Sequence, residues 1–255
     1  MKMKRFRGLG TKSLAIATAL VVCVLSVVTA APAVAGKVKG SAPAPPQGVV
    51  AAAIDPGVCI DWLPAAEGGV SGYYVYAKSS KGWKRFNRKP ITDNHYYDPK
   101  GTAGKDYAVR AVNVNGVKSD LAVAVAVEAV PVIHEENDPR ISAQGIWTVE
   151  DYPGASGGAI MVASSSGSML RFRFTGRQVK LIAVNHSGCG QANVYMDNNF
   201  VATVDMYSPN PLFQQVEVSV PGLKYGEHEI AVLVLGYGNP GGADNFVNVD
   251  AFEVR

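Results

Sequence analysis

The chain has 255 residues, with 24 Lys and Arg against 21 Asp and Glu, a formal charge of +3, three cysteines and four histidines. Five of those bases lie within the first twelve residues, so the remainder is near −2 and lacks the clustered basic face that a nucleic-acid partner requires. Cys23, Cys59 and Cys189 are too few and too widely spaced for a disulfide scaffold, and no Cys or His pair has the spacing of a structural zinc site.

The N-terminal segment carries Lys2, Lys4, Arg5, Arg7 and Lys12 and no acid, then turns almost purely apolar from Ser13 to Ala30 and closes on Ala33-Val34-Ala35. A basic region, an apolar stretch and a small-x-small site are the parts of a secretory signal peptide, with cleavage expected after Ala35. About eighteen apolar residues would also just cross a bilayer, but no stop-transfer flank follows. Cys23 lacks the Leu-small-Gly context of a lipid attachment site. A secreted or envelope location with no membrane span after cleavage is therefore expected, and the leader removes Cys23 with it.

The remaining residues, about 220, suit two ordinary domains with cores of their own. Residues 36–45 hold Pro43 and Pro45 among Ala, Ser and Lys and read as a linker. Residues 131–139, where Glu135, Glu136 and Asp138 stand between two prolines, read as a second connection. The predicted parts are thus a signal peptide at 1–35, a linker at 36–45, a domain at 46–130, a linker at 131–139 and a domain at 140–255.

Both domains consist of short alternating runs punctuated by Gly, Asn, Asp and Pro, with no sustained helical period, which predicts an all-β chain of two sandwiches. Val58, Ile60 and Trp62 alternate with Cys59 and Asp61, and the alternation aims Cys59 away from the core, toward the surface. Asn115-Gly116 predicts a tight turn. The Ala/Val run from Leu121 to Val130 reads as the last strand of the first domain, because its valines favour a pleated surface over a helix. In the second domain Leu170, Phe172 and Phe174 alternate with Met169, Arg171 and Arg173, and a terminal strand covers Phe246 to Val254.

From Pro46 to about Ala129 the landmarks are Val58-Cys59-Ile60-Asp61-Trp62 with Pro64, then Val70-Ser71-Gly72-Tyr73-Tyr74-Val75-Tyr76. Tyr97-Asp98, Asp106-Tyr107-Ala108-Val109-Arg110-Ala111-Val112 and Asn115-Gly116 with Ser119 follow. This stretch resembles a bacterial fibronectin type III domain. The resemblance implies a spacer in which Trp62 plugs the core and Tyr107 forms a tyrosine corner. Asn113-Val114-Asn115-Gly116 stands where some relatives carry an Arg-Gly-Asp loop, so integrin binding is not implied. Trp83 with Lys81, Lys84, Arg85 and Arg88 reads as a solvated hairpin tip.

From about Arg140 onward the landmarks are Trp147, Ser156-Gly157-Gly158, Leu170 to Gly176, Ala192 to Asp197, Val204 to Ser208, Leu223 with Gly226-Glu227-His228, and Val249 to Val254. This half resembles the galactose-binding-like jelly-roll modules that accompany exported bacterial carbohydrate-active enzymes. One departure is a hairpin carrying Asn198-Asn199 in place of the usual glycine, which Asn can replace in the left-handed region.

Sugar recognition in a shallow groove requires flat aromatic faces for C–H surfaces and amide or carboxylate groups for hydroxyls, both supplied by loops. Candidates outside the clean alternation are Tyr237, Asn239, Tyr152, Tyr207 and Asn245, with Asp151, Asn210 and Asp244 beside them. Trp147 reads as part of a first strand, and Asp250 as a hydrogen-bonded structural carboxylate. No cofactor is called for, and calcium at Asp244 or Asp205 has no repeat spacing to support it.

Gly154-Ala155-Ser156-Gly157-Gly158 matches the nucleophile-elbow string, but that motif works at a strand-to-helix turn that this chain does not predict. No string nominates a catalytic pair. The sequence reads as a secreted carbohydrate-binding protein whose partner is a polysaccharide or glycoconjugate. Its alternatives are a non-catalytic adhesion protein that binds an envelope protein, and an accessory subunit of a polysaccharide-degrading glycosidase.

Overall fold

The structure, a computed structural model, describes residues 40–65, 69–242 and 244–255. The signal-peptide reading and most of the first linker lie outside these residues. The described part is all-β: twenty strands and one short 3-10 turn, with no α-helix.

Eight strands build the first sandwich: β1 (Gln47–Ala53), β2 (Val58–Leu63), β3 (Val70–Ser79), β4 (Gly82–Arg85), β5 (His95–Asp98), β6 (Tyr107–Asn113), β7 (Ala122–Val123) and β8 (Val125–Glu128). They form two sheets, ordered β5-β2-β1-β8 and β4-β3-β6-β7. Alternation places Val58, Ile60 and Trp62 on the face they share with Tyr73, Val75, Tyr107 and Val109, and these side chains make the core. Trp62 is 2% exposed and meets Tyr73 edge-on at 5.4 Å between ring centres. The Tyr107 hydroxyl donates to Asp98 Oδ2 at 2.8 Å, and Lys105 Nζ reaches the same oxygen at 3.0 Å. Burial and the neighbouring Asp98 charge push the Tyr107 phenol well above its ordinary range.

The Ala/Val run is extended, as its valines predict, but it is not one strand. It breaks at Ala124, whose amide donates to Tyr107 O, so that β7 lies beside β6 in one sheet and β8 beside β1 in the other. Gly116, at φ 78, closes the turn after β6 as expected.

The second sandwich contains β9 (Val132–Glu135), β10 (Ile141–Gln144), β11 (Thr148–Asp151), β12 (Ala159–Ala163), β13 (Met169–Gly176), β14 (Val179–Asn185) and β15 (Gly190–Met196). It continues with β16 (Asn199–Asp205), β17 (Leu212–Val220), β18 (Gly226–Gly238), β19 (Val247–Val249) and β20 (Ala251–Val254). Its sheets run β10-β13-β18-β15-β16, β17-β14-β20-β9 and β11-β12-β19. Leu170, Phe172 and Phe174 enter the core on alternate positions of β13, and Phe172 stacks on Phe252 at 4.7 Å. Trp147 packs against this core from a half-buried position.

Three sequence expectations need correction. Val132–Glu135, read as part of a connecting segment, is the edge strand β9 and pairs with β20 from Ala251↔Glu135 to Val254↔Val132. The β15–β16 hairpin turns at Asp197 and Asn198 (φ 49 and 64), while Asn199 already opens β16. Cys59 is 0% exposed. It does point away from the first core, but that face of β2 lies under the loop between β17 and β18, and its Sγ approaches Leu223 O at 3.7 Å. Burial pushes its thiol pKa up to about 12. Both described cysteines are free thiols, and Cys189 is buried as well.

Residues Lys39–Arg255 form one compact unit, which joins the two sandwiches. No helix among the described residues is long and apolar enough to cross a membrane.

Candidate functional site

Four connections meet at one end of the second sandwich: β11 to β12, β14 to β15, β16 to β17, and β18 to β19. Tyr152, on the first, lies nearly parallel to the His186 ring on the second, with ring centres 6.0 Å apart. On its other side Tyr152 meets Phe213 at 6.0 Å. His186 forms a bridge with Tyr207 on the third connection, and the Ser208 amide donates to His186 O at 3.3 Å. The Tyr207 ring packs against Gly241 and Gly242 of the fourth, where an added Cβ would come within 3.2 to 3.5 Å of it. The result is an aromatic strip of Phe213, Tyr152 and His186, with Tyr207 joined to His186 through the backbone and Phe213 41% exposed.

The polar groups around this strip divide into props and free groups. Asp205 is a prop: Oδ2 accepts from Asn239 Nδ2 (3.0 Å) and Gln191 Nε2 (3.1 Å), and Oδ1 accepts the Tyr207 amide (3.1 Å). These donors hold its carboxyl below the ordinary range against the opposing effect of burial. His186 Nδ1 accepts the Gly188 amide at 3.1 Å, which puts the ring proton on Nε2 as a donor. Burial lowers the His186 pKa, opposed by the negative charges of Asp244 and Glu150, so the ring is neutral at pH 7. The segments 150–158, 185–190, 205–211 and 236–246 contain Glu150, Asp151, Asp205 and Asp244 and no Lys or Arg.

Of the five residues selected from sequence, the structure brings Tyr152, Tyr207 and Asn239 to this end, each with a different part. Tyr152 is half-buried on the cluster of Ile160, Val162 and Val184, next to the His186 and Phe213 rings, and Tyr207 is half-buried against Gly241 and Gly242. Asn239 spends its amide on Asp205 and accepts the Gly241 amide on Oδ1 at 3.0 Å, so it shapes the loop. Asn245 is a staple, donating to Gly236 O (2.8 Å) and Ser164 O (3.4 Å). Tyr237 lies at the end of β18 and not in a loop; it is 57% exposed and makes no ring contact with Tyr152 or Tyr207 among the described residues. His186 and Phe213 escaped the sequence reading. The signal for His186 was a lone histidine before Ser187-Gly188 between two alternating runs, whereas Phe213 sits in an apolar run that looks like any strand.

Ser156 of the elbow-like string donates to Glu135 Oε1 at 2.9 Å rather than to a histidine, and its turn leads into strand β12, not a helix. Beneath that turn, Asp250 is 0% exposed with both carboxylate oxygens unpartnered, and Glu135 Oε2 and Glu136 Oε2 are also buried without partners. Burial, reinforced by the Glu135 and Glu136 charges and opposed by the Ser156 backbone N–H, raises the Asp250 pKa to about 6. No three such side chains form a finished metal cage among the described residues.

No family model matches the chain. A protein of Flavonifractor plautii, named A type blood alpha-D-galactosamine galactosaminidase, is 30% identical over 100 residues, which is 38% of this chain and 9% of that protein. The chain thus spans less than a tenth of that relative's length. Among solved structures, an Fn3-like protein from Clostridium thermocellum is 29% identical over 34% of this chain and 95% of its own, with a TM-score of 0.30. A family 35 carbohydrate binding module from an environmental isolate is 17% identical over 48% of this chain and 90% of its own, with a TM-score of 0.36.

Proposed function

We propose that this chain is a non-catalytic carbohydrate-binding protein of an exported bacterial system. Its second sandwich, β9 to β20, would bind a glycan at the end formed by the four connections, and the first, β1 to β8, would support it. The observation that carries this reading is the strip of Tyr152, His186 and Phe213 with Tyr207 joined through the backbone, drawn from three separate connections and from the start of β17 and placed beside exposed loop backbone. Aromatic faces take the C–H side of a sugar ring, and the His186 Nε2–H and nearby backbone groups meet its hydroxyls. A relative named for a sugar-cleaving activity, of which the chain matches a small part, is in keeping with an accessory rather than a catalytic role. The absence of bases from the same loops disfavours polyanionic glycans and favours neutral or amino sugars.

Retention of the mature protein on insoluble cellulose, chitin and peptidoglycan tests the proposal, with a Tyr152→Ala, Tyr207→Ala double variant as control. Retention on at least one glycan, lost in the double variant, is the expected result. Equal retention of both proteins, or none of the wild type on any glycan, would refute it.

A further inference from the structure

The sandwiches meet along two segments of the second: Arg177, Gln178 and Lys180, which bond to Asp61 and Asp55 of the first, and one short loop, residues 221–225, between β17 and β18. Gly222, at φ 80, lies so close to the Tyr97 ring that an added Cβ would come to 2.5 Å from it. The loop offers its carbonyls outward: Gly222 O faces His95 Nε2 at 3.0 Å, Leu223 O faces Cys59 Sγ, and Lys224 O faces His228 Nε2 at 2.8 Å. His95 belongs to the first sandwich and His228 to the second, so two histidines hold the loop from two sides.

In each histidine the other ring nitrogen faces a carboxylate. His95 Nδ1 lies 2.8 Å from Asp61 Oδ1, and His228 Nδ1 lies 2.7 Å from Asp197 Oδ2. Carbonyls and ionised carboxylates only accept, so only a ring with protons on both nitrogens can make both bonds. Asp61 is ionised: burial alone would raise its pKa, but hydrogen bonds from His95 and from Arg177 Nε, at 2.7 Å, hold it below the usual range. Asp197 also accepts the Glu229 amide at 3.0 Å.

We propose that the 221–225 loop is a proton-dependent latch, in which doubly protonated His95 ties the loop to the first sandwich, doubly protonated His228 holds it within the second, and loss of those protons loosens this part of the joint. The charged groups around each ring fit this role. His95 has Asp61 directly and Arg177 behind it, with Lys224 and Asp93 paired at the rim. The neighbouring Cys59 is held as a neutral thiol. His228 has Asp197 directly, with Glu227, Glu229, Arg140 and Arg173 around the adjoining groove and the Phe174 ring at 5.7 Å. A neutral ring must turn one lone pair toward an acceptor, so each site loses a hydrogen bond when its ring loses a proton.

Cys59 reports on the joint from within, because it is buried against Leu223 O, while Cys189 is buried in the second sandwich and serves as the internal reference. The experiment labels the full chain with a disulfide reagent active across the range, at pH 5.5 and pH 8.5, and reads each cysteine by mass spectrometry. The ratio of Cys59 to Cys189 labelling is expected to rise at least tenfold at pH 8.5, and His95→Gln is expected to keep it high at both pH values. A ratio that stays flat in the wild type overturns the proposal. Ring ¹⁵N shifts of the wild type give a second reading that needs no variant: doubly protonated His95 and His228 at pH 5.5 support the latch, and a single neutral tautomer there overturns it.

Discussion

Asp250→Asn isolates the cost of burying a charge beneath the loop end. The folded Asp250 carboxyl, raised to about 6 from 3.8, lies about two units above its unfolded value. At about 1.4 kcal/mol per unit, its ionisation costs the fold on the order of 3 kcal/mol. The sign follows from which state binds the proton more tightly. Below about pH 3.8 both states are protonated and nothing is lost; between 3.8 and 6 the unfolded chain ionises first; above 6 the full cost is present. The nearly isosteric amide never ionises, which also removes the repulsion from the Glu135 and Glu136 charges. Urea unfolding should therefore show the variant more stable than wild type at pH 7.5 by up to about 3 kcal/mol, with the gap closing toward pH 4. A variant less stable than wild type at pH 7.5, or a gap that does not vary with pH, would refute the reasoning.

Other outcomes follow from single contacts. Tyr107→Phe removes the donor to the buried Asp98 and should cost about 1–3 kcal/mol in urea unfolding, with core packing unchanged. Gly222→Ala places a Cβ against Tyr97 at a left-handed φ; it should lower stability by about 1–2 kcal/mol and expose Cys59 to thiol reagents at pH 5.5. His186→Ala should weaken glycan binding about tenfold in calorimetric titration while leaving the unfolding midpoint within a degree or two, since the ring is half-exposed. Tyr237→Ala should leave binding unchanged in the same titration, because that side chain stands apart from the strip.

The strands were legible because alternation is a local property. Val58, Ile60 and Trp62, and again Leu170, Phe172 and Phe174, each declare one buried face, and the structure buries each of them. Cys59 shows the limit of that signal: alternation named its face correctly, but only the placement of the 221–225 loop determines that the face is covered. Val132–Glu135 was hidden by Glu135 and Glu136, whose polarity reads as solvated connection although both approach the buried Asp250. In the candidate site, residue type pointed to Tyr152 and Tyr207. It could not separate them from Asn245, whose amide is consumed by Gly236 and Ser164, because hydrogen-bond partners distant in sequence leave no local trace. His186 joins the strip only because the connection after β14 and the one after β11 come together in space.

The claim that the loop end of the second sandwich binds a glycan is tested most directly by amide shift mapping of the isotope-labelled protein titrated with soluble chitin and cellulose oligosaccharides. The account predicts perturbations concentrated at residues 150–158, 186–188, 205–213 and 239–245. Perturbations centred on the outer face of β13 and β18, or no perturbation with any oligosaccharide, would contradict it.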